Sequence, residues 1–207
     1  MKDFNILEKF LDLEFPNNQF DKNEKEFLQR YSICKNESES NILKTFFTDF
    51  YNQYYKEEPV TTFYEKYSHV FEAKEKLQEL FTKFNNNQDR KKGFDSFEIF
   101  LDWWCEYIKE YGHRCYYCGV EEKDSKSGAE NKDYKNIGKK DSHKSGKLQI
   151  DRKDSQKGYG KDNCVLACVL CNNAKCELIE GEEYKIYFGE AMKKYWNFIC
   201  EKKTQIE

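Results

Sequence analysis

The chain has 207 residues, enough for one domain with an extension or for two small ones. Its 17% aromatic residues offset an apolar share of only 38% against 35% charged, since large rings supply much buried area, and so exclude a disordered chain. The net charge of −3 excludes a strongly basic nucleic-acid binder but hides an asymmetry: residues 1–110 carry 16 Lys and Arg against 22 Asp and Glu, residues 111–207 carry 19 against 16.

Only two prolines interrupt the chain, and runs of Glu, Lys, Leu and Phe favour helix. Phe4, Leu7, Phe10 and Leu11 share one helical face before Pro16. A second helix is predicted over Lys22 to Cys34, with Phe27, Leu28 and Tyr31 inward. "SESNILKTFFTDFYNQYY" starts on a Ser-rich cap and repeats Leu43, Phe46, Phe47, Phe50 and Tyr54 at three- and four-residue steps, and Pro59 breaks the pattern. Residues 61–85 carry one or two further helices, and "NNNQDRKKG" reads as a linker. "DSFEIFLDWWCEYIKEYG" is the next helix, capped by Asp95 or Ser96, with Trp103 and Trp104 at core spacing.

The texture then changes. Residues 121–147 hold eight Lys and six acids with almost nothing apolar, and are expected to form a long polar insert. A short strand "KLQI", a loop, a second strand "NCVLA" and a helix from Val169 follow, with further helix to the end. No apolar run approaches the roughly 18 residues of a membrane span, and "MKDFNILEKF" lacks a signal-peptide core. A cytoplasmic protein with no membrane association is the expectation. Nine cysteines in a reducing compartment point to metal rather than disulfides.

Cys115/Cys118 and Cys168/Cys171 form two Cys-x-x-Cys pairs. Two such pairs complete a closed tetrahedral site, so a structural Zn2+ is predicted on these four thiolates. Cys34, Cys105, Cys164, Cys176 and Cys200 read as small core fillers. His69, His113 and His143 are scattered, and none is placed by sequence to activate a cysteine nucleophile.

Polar residues converge on the strand–strand–helix unit. Asp151 ends the first predicted strand, Asn163 opens the second, and Asn172 follows a zinc ligand at the start of the helix. Asp and Asn oxygens are hard donors suited to Mg2+ or Mn2+, with water and phosphate oxygens completing the shell. Lys175, one turn on, can point the same way.

"CYYCG", "LQIDRKD" and "GYGKDNCVLACVLCNNAK" with the trailing helix resemble the HNH endonuclease family, the zinc-knuckled branch of the ββα-metal nucleases. The resemblance covers residues 115–184. It implies an HNH nuclease domain at 95–207. Residues 1–94 lie outside the resemblance; their apolar helical faces, acidic balance and lack of a ligand-like cluster read as a helical region that selects a target or binds a protein partner, so the chain as a whole is expected to be α+β, mostly α. The resemblance also implies hydrolysis of phosphodiester bonds in DNA, most naturally double-stranded, within a defence, restriction or mobile-element setting. Asp151 then matches the metal-binding acid, Asn163 the residue that braces the loop, Asn172 the second metal ligand and Lys175 a basic residue of the helix. Arg152 departs from the family, standing where the general-base His belongs, and Arg cannot accept a proton. Either Arg152 stabilises phosphate charge while His143 or Asp154 takes the proton, or the chain is a catalytically impaired nucleic-acid-binding module. An interaction protein whose acidic helical half recruits a partner is the third reading.

Overall fold

Ser96 starts the helix that links the two halves of the sequence: its Oγ accepts the Ile99 amide at 3.3 Å, so Ser96 and not Asp95 is the cap. The structure, a computed structural model, describes residues 3–32, 48, 51–53, 65–88, 93–129 and 146–204. Most of "SESNILKTFFTDFYNQYY", and Cys34, Pro59 and His143, lie outside the described residues. The architecture is α+β and mostly helical, with one two-stranded antiparallel sheet. Among the described residues no helix is long and apolar enough to cross a membrane.

The chain divides into two compact units, Met1–Asn86 with Ser96–Cys105, and Asn87–Asp95 with Glu106–Glu207. The first contains α1 (Asp3–Glu14), α2 (Lys22–Ser32), α3 (Ser68–Gln88) and the start of α4 (Phe97–Tyr111). α2 opens on a reciprocal cap, the Asp21 amide donating to Glu24 Oε2 at 2.8 Å and the Glu24 amide to Asp21 Oδ1 at 2.9 Å. Phe10, Leu28, Leu80 and Phe100 are fully buried in its core. Trp103 and Trp104 are also core residues, and Trp104 Nε1 donates to Glu14 at 2.7 Å. A stacking surface for bases is thereby excluded at these two rings.

The second unit contains the end of α4, α5 (Glu122–Ala129), β1 (Gln149–Arg152), β2 (Cys164–Ala167), α6 (Val169–Lys175) and α7 (Gly181–Thr204). Three expectations change. The stretch read as a linker from Asn85 is helical as far as Gln88, where α3 ends. The insert expected as loop over 121–147 begins with a helix, α5, despite its polar sequence. Glu122 sits in the first turn and receives the Leu148 amide at 3.1 Å, Ser125 is fully buried, and α7 packs against α5. The first strand lies two residues later than "KLQI", because Gln149, Ile150, Asp151 and Arg152 pair with Ala167, Leu166, Val165 and Cys164. Asp151 and Arg152 are therefore inside the ladder. Leu148, Leu166, Tyr184, Trp196 and Ile199 form the surrounding core.

Candidate functional site

Two cysteine turns bring their sulfurs together beside β2. In the first, Cys115 N donates to Val120 O at 2.9 Å and Gly119 N to Cys115 O at 2.8 Å. Gly119 has φ +73°, a conformation that a side chain would strain. In the second, Cys168 is the N-cap of α6 and its Sγ accepts the Cys171 amide at 3.5 Å. A bond from Tyr116 N to Leu166 O, 2.8 Å long, fastens the first turn to β2.

The result is a cluster of four buried thiols whose sulfurs all lie within 4.8 Å of one another, with Cys118 and Cys168 3.8 Å apart. Tetrahedral zinc with bonds of about 2.3 Å spaces its sulfurs by roughly 3.8 Å, so the donor set and its size fit a metal such as zinc. Burial opposes charge at Cys115, but hydrogen bonds from Cys118, Cys168 and Cys171 outweigh it and hold its thiol well below the ordinary range. Their bonds to Cys115 push Cys118 and Cys171 up. Four thiolates this close need a cation to ionise together. α7 reaches the same cluster: Trp196 Nε1 donates to Cys168 Sγ at 3.2 Å, and Cys171 stands beside the buried Tyr184 hydroxyl, whose pKa rises through burial first and that thiol second. Of the other cysteines, Cys105 and Cys164 are buried, but Cys176 is exposed at the end of α6 with φ 44°, so it is no core filler.

Side chains alternate along β1, which puts Gln149 and Asp151 on one face and Ile150 and Arg152 on the other. The first face meets α6 through Asn172 and Lys175, one helical turn apart. Asn172 Nδ2 donates to Gln149 Oε1 at 2.7 Å. Lys175 is fully buried; its Nζ stands 3.4 Å from Asp151 Oδ2 and donates to Cys176 O at 3.1 Å. Tyr117 donates its hydroxyl to the same Asp151 oxygen at 2.6 Å. Burial pushes the Asp151 carboxyl up, and the Tyr117 and Lys175 contacts recover part of that shift. The Tyr117 phenol is also pushed up, by burial first and by the Asp151 charge second. Asp151 and Asn172 carry oxygens of the hard type that Mg2+ or Mn2+ takes as ligands, and the Lys175 ammonium stands beside Asp151.

Arg152 belongs to the opposite face. Its guanidinium donates to Lys157 O at 3.1 Å, lies 5.1 Å from the Tyr159 ring centroid and stands 3.6 Å from Glu177. Asn163 sits just before β2 and not within it. Its Oδ1 accepts the Asp154 amide, and its Nδ2 donates to Asp154 O and Gly158 O, all at 2.9 Å. Asp154 is held below the usual carboxylate range by the Gln156 amide first and by Lys157 next, which makes it a poor proton acceptor. Its position is that of a turn former.

Sequence reasoning missed Tyr117, Gln149, Tyr184 and Trp196. Gln149 was accessible, since it lies two residues before Asp151 on a period-two strand. Tyr117 was partly so, being enclosed by two candidate zinc ligands. Nothing local marks Tyr184 or Trp196 as neighbours of the cysteines.

No protein-family model matches the chain, and no curated protein matches it. A solved structure of the rare-cutting HNH restriction endonuclease PacI is similar to it, with 27% identity and a TM-score of 0.44, over 57% of this chain and 77% of that one.

Proposed function

We propose that the chain is a metal-dependent endonuclease of the HNH type that hydrolyses phosphodiester bonds in DNA. One observation carries the reading: Asp151 and Asn172, two hard-oxygen donors, belong to the facing surfaces of β1 and α6, which the Gln149–Asn172 and Asp151–Lys175 contacts join directly beside the four-cysteine cluster. In this reading Cys115, Cys118, Cys168 and Cys171 hold structural Zn2+, and Asp151 and Asn172 hold Mg2+ or Mn2+. When bound, the second cation supplies Lewis acidity that activates water and offsets charge on the leaving oxygen. Asn163 keeps the 153–163 loop in shape, and Lys175 balances the Asp151 charge until the cation and the phosphate arrive. Arg152 orders the same loop from the other face of the hairpin. The helical region, residues 1–94, serves partner binding or target selection.

The runner-up is a zinc-pinned nucleic-acid-binding module without catalysis. It draws support from Lys175, which already neutralises Asp151, and from Arg152 in place of a base. Plasmid incubated with the protein and Mg2+, Mn2+ or EDTA separates the two. The nuclease is expected to nick or cut with either cation, to stop in EDTA, and to be inactive as Asp151→Ala or Asn172→Ala with zinc retained. Cleavage that persists in EDTA refutes the metal mechanism, and binding without cleavage under every condition selects the module.

A further inference from the structure

We infer that Tyr117 is a positioning residue: carried between the two thiols of the first cysteine turn, its hydroxyl holds the Asp151 carboxylate in place, so that a filled four-cysteine site sets the acid on which the divalent cation depends. The inference rests on the reading of Asp151 as a ligand.

Tyr117 stands between Cys115 and Cys118 in sequence, so its backbone cannot shift without moving both sulfurs. Its side chain is equally constrained. The residue is 4% exposed, and its ring packs edge-on against Tyr116 and Tyr184, with centroids 5.5 and 5.3 Å away. Its carbonyl oxygen lies against Gly189 of α7, where any Cβ would collide with it. A hydroxyl so confined reaches Asp151 Oδ2 at 2.6 Å. Lys175 approaches the same oxygen at 3.4 Å, so both donors gather on one side of the carboxylate and restrict its rotation. A phenol provides this restraint without adding charge beside a cation. Coordination at the cysteines and placement of the acid 34 residues away in sequence thus share one rigid link.

The test uses the full-length zinc-loaded protein and Mn2+ as the probe. Mn2+ binding is read from loss of the free-ion paramagnetic resonance signal in wild type, Tyr117→Phe and Asp151→Asn, alongside zinc content and thermal unfolding. Tyr117→Phe keeps the ring and its packing. It is expected to weaken Mn2+ binding about tenfold, the low end for loss of a partner that orients a ligand. It should also lower kcat for plasmid cleavage while KM, zinc content and unfolding temperature stay close to wild type. If Tyr117→Phe binds Mn2+ and cuts like wild type while Asp151→Asn binds Mn2+ weakly, the positioning role falls and the ligand reading survives. If Asp151→Asn binds Mn2+ as wild type does, the ligand reading falls and takes the positioning role with it. Loss of zinc from Tyr117→Phe also overturns the proposal, because the hydroxyl would then serve the cysteine turn and not the acid.

Discussion

In the unit built from α1, α2, α3 and the start of α4, the deepest positions are hydrocarbon: Phe10, Leu28, Leu80 and Phe100. The polar atom of Trp104 is satisfied locally by Glu14. In the unit that carries β1, β2, α6 and α7, the buried set includes four clustered cysteines, Asp151, Asn163 and Lys175. The first unit draws on apolar area, at about 1.5–3 kcal/mol for each large side chain buried. The second buries more charged and amide groups, and Asp151, Asn163 and Lys175 each have partners, because an unpaired one costs several kcal/mol. Stability by area tolerates many substitutions. Stability by matched partners tolerates few, and those partners are the ones chemistry can use.

The sharpest way to break this contrast is to disrupt the four-cysteine cluster, where zinc is proposed to bind, in one unit only. A strong zinc chelator, or Cys168→Ser, should unfold the cysteine-bearing unit and leave the helical one cooperative. Structural zinc contributes about 10–16 kcal/mol in small finger peptides, as much as the whole stability of a typical domain. Cys168 also accepts from Trp196 of α7, so replacing it removes a thiol of the cluster and disturbs a contact to that helix. Calorimetry is expected to show two transitions, of which one disappears. Loss of both together would mean that the units share one cooperative core.

The converse experiment enlarges a void in the apolar unit. Phe100→Ala removes a fully buried ring, for which about 3–5 kcal/mol is the usual loss. Zinc content and the response of the second unit to chelator should not change. A drop in zinc content would show that the cysteine turns depend on that packing.

What could be read from sequence follows the same division. Helices of the first unit announce themselves because apolar residues recur at a helical period, as Leu7, Phe10 and Leu11 do. The cysteine cluster was equally legible, since two residues between thiols are a local geometric requirement. α5 was not legible, because it rests on the Leu148 amide and on packing against α7, with almost no apolar periodicity of its own. The start of β1 was misplaced by two residues for a related reason: pairing with β2 sets it, and no local preference does. Asp151 could be picked out as a candidate by its residue type and its neighbours. Its attachment to Tyr117 and Lys175 could not, because 34 and 24 residues of chain separate the partners and only the folded register joins them.

The Lys175–Asp151 pair offers a narrower test of matched burial. Lys175→Met leaves a buried carboxylate without its cation, and breaking such a pair from one side typically costs about 3–5 kcal/mol. Asp151→Asn added to Lys175→Met should recover most of that loss, since two neutral groups remain. Denaturant titration of the four proteins in the cycle gives the coupling directly. Additive losses would mean that the two side chains are stabilised by other neighbours and not by each other.

Arg152 sharpens the comparison on the scale of one residue, because it sits beside Asp151 but faces the other way. Its contacts are a bond to Lys157 O, the Tyr159 ring and a largely exposed Glu177. A hydrogen bond nets about 1 kcal/mol and an exposed cation–π contact about 0.5–1 kcal/mol, while a pair with an exposed carboxylate adds little. Arg152→Ala is therefore expected to cost about 1–2 kcal/mol in denaturant unfolding, less than Lys175→Met. Its effect on function should be larger than its effect on stability, because the 153–163 loop it orders joins β1 to β2 beside Asp151. Cleavage is expected to slow more than DNA binding weakens. Arg152→Lys should restore only part of the rate, since an ammonium cannot both stack flat on Tyr159 and donate from a planar fork to Lys157 O. Arg152→Ala cleaving at the wild-type rate would separate the loop from the chemistry and confine the functional face to Gln149, Asp151, Asn172 and Lys175.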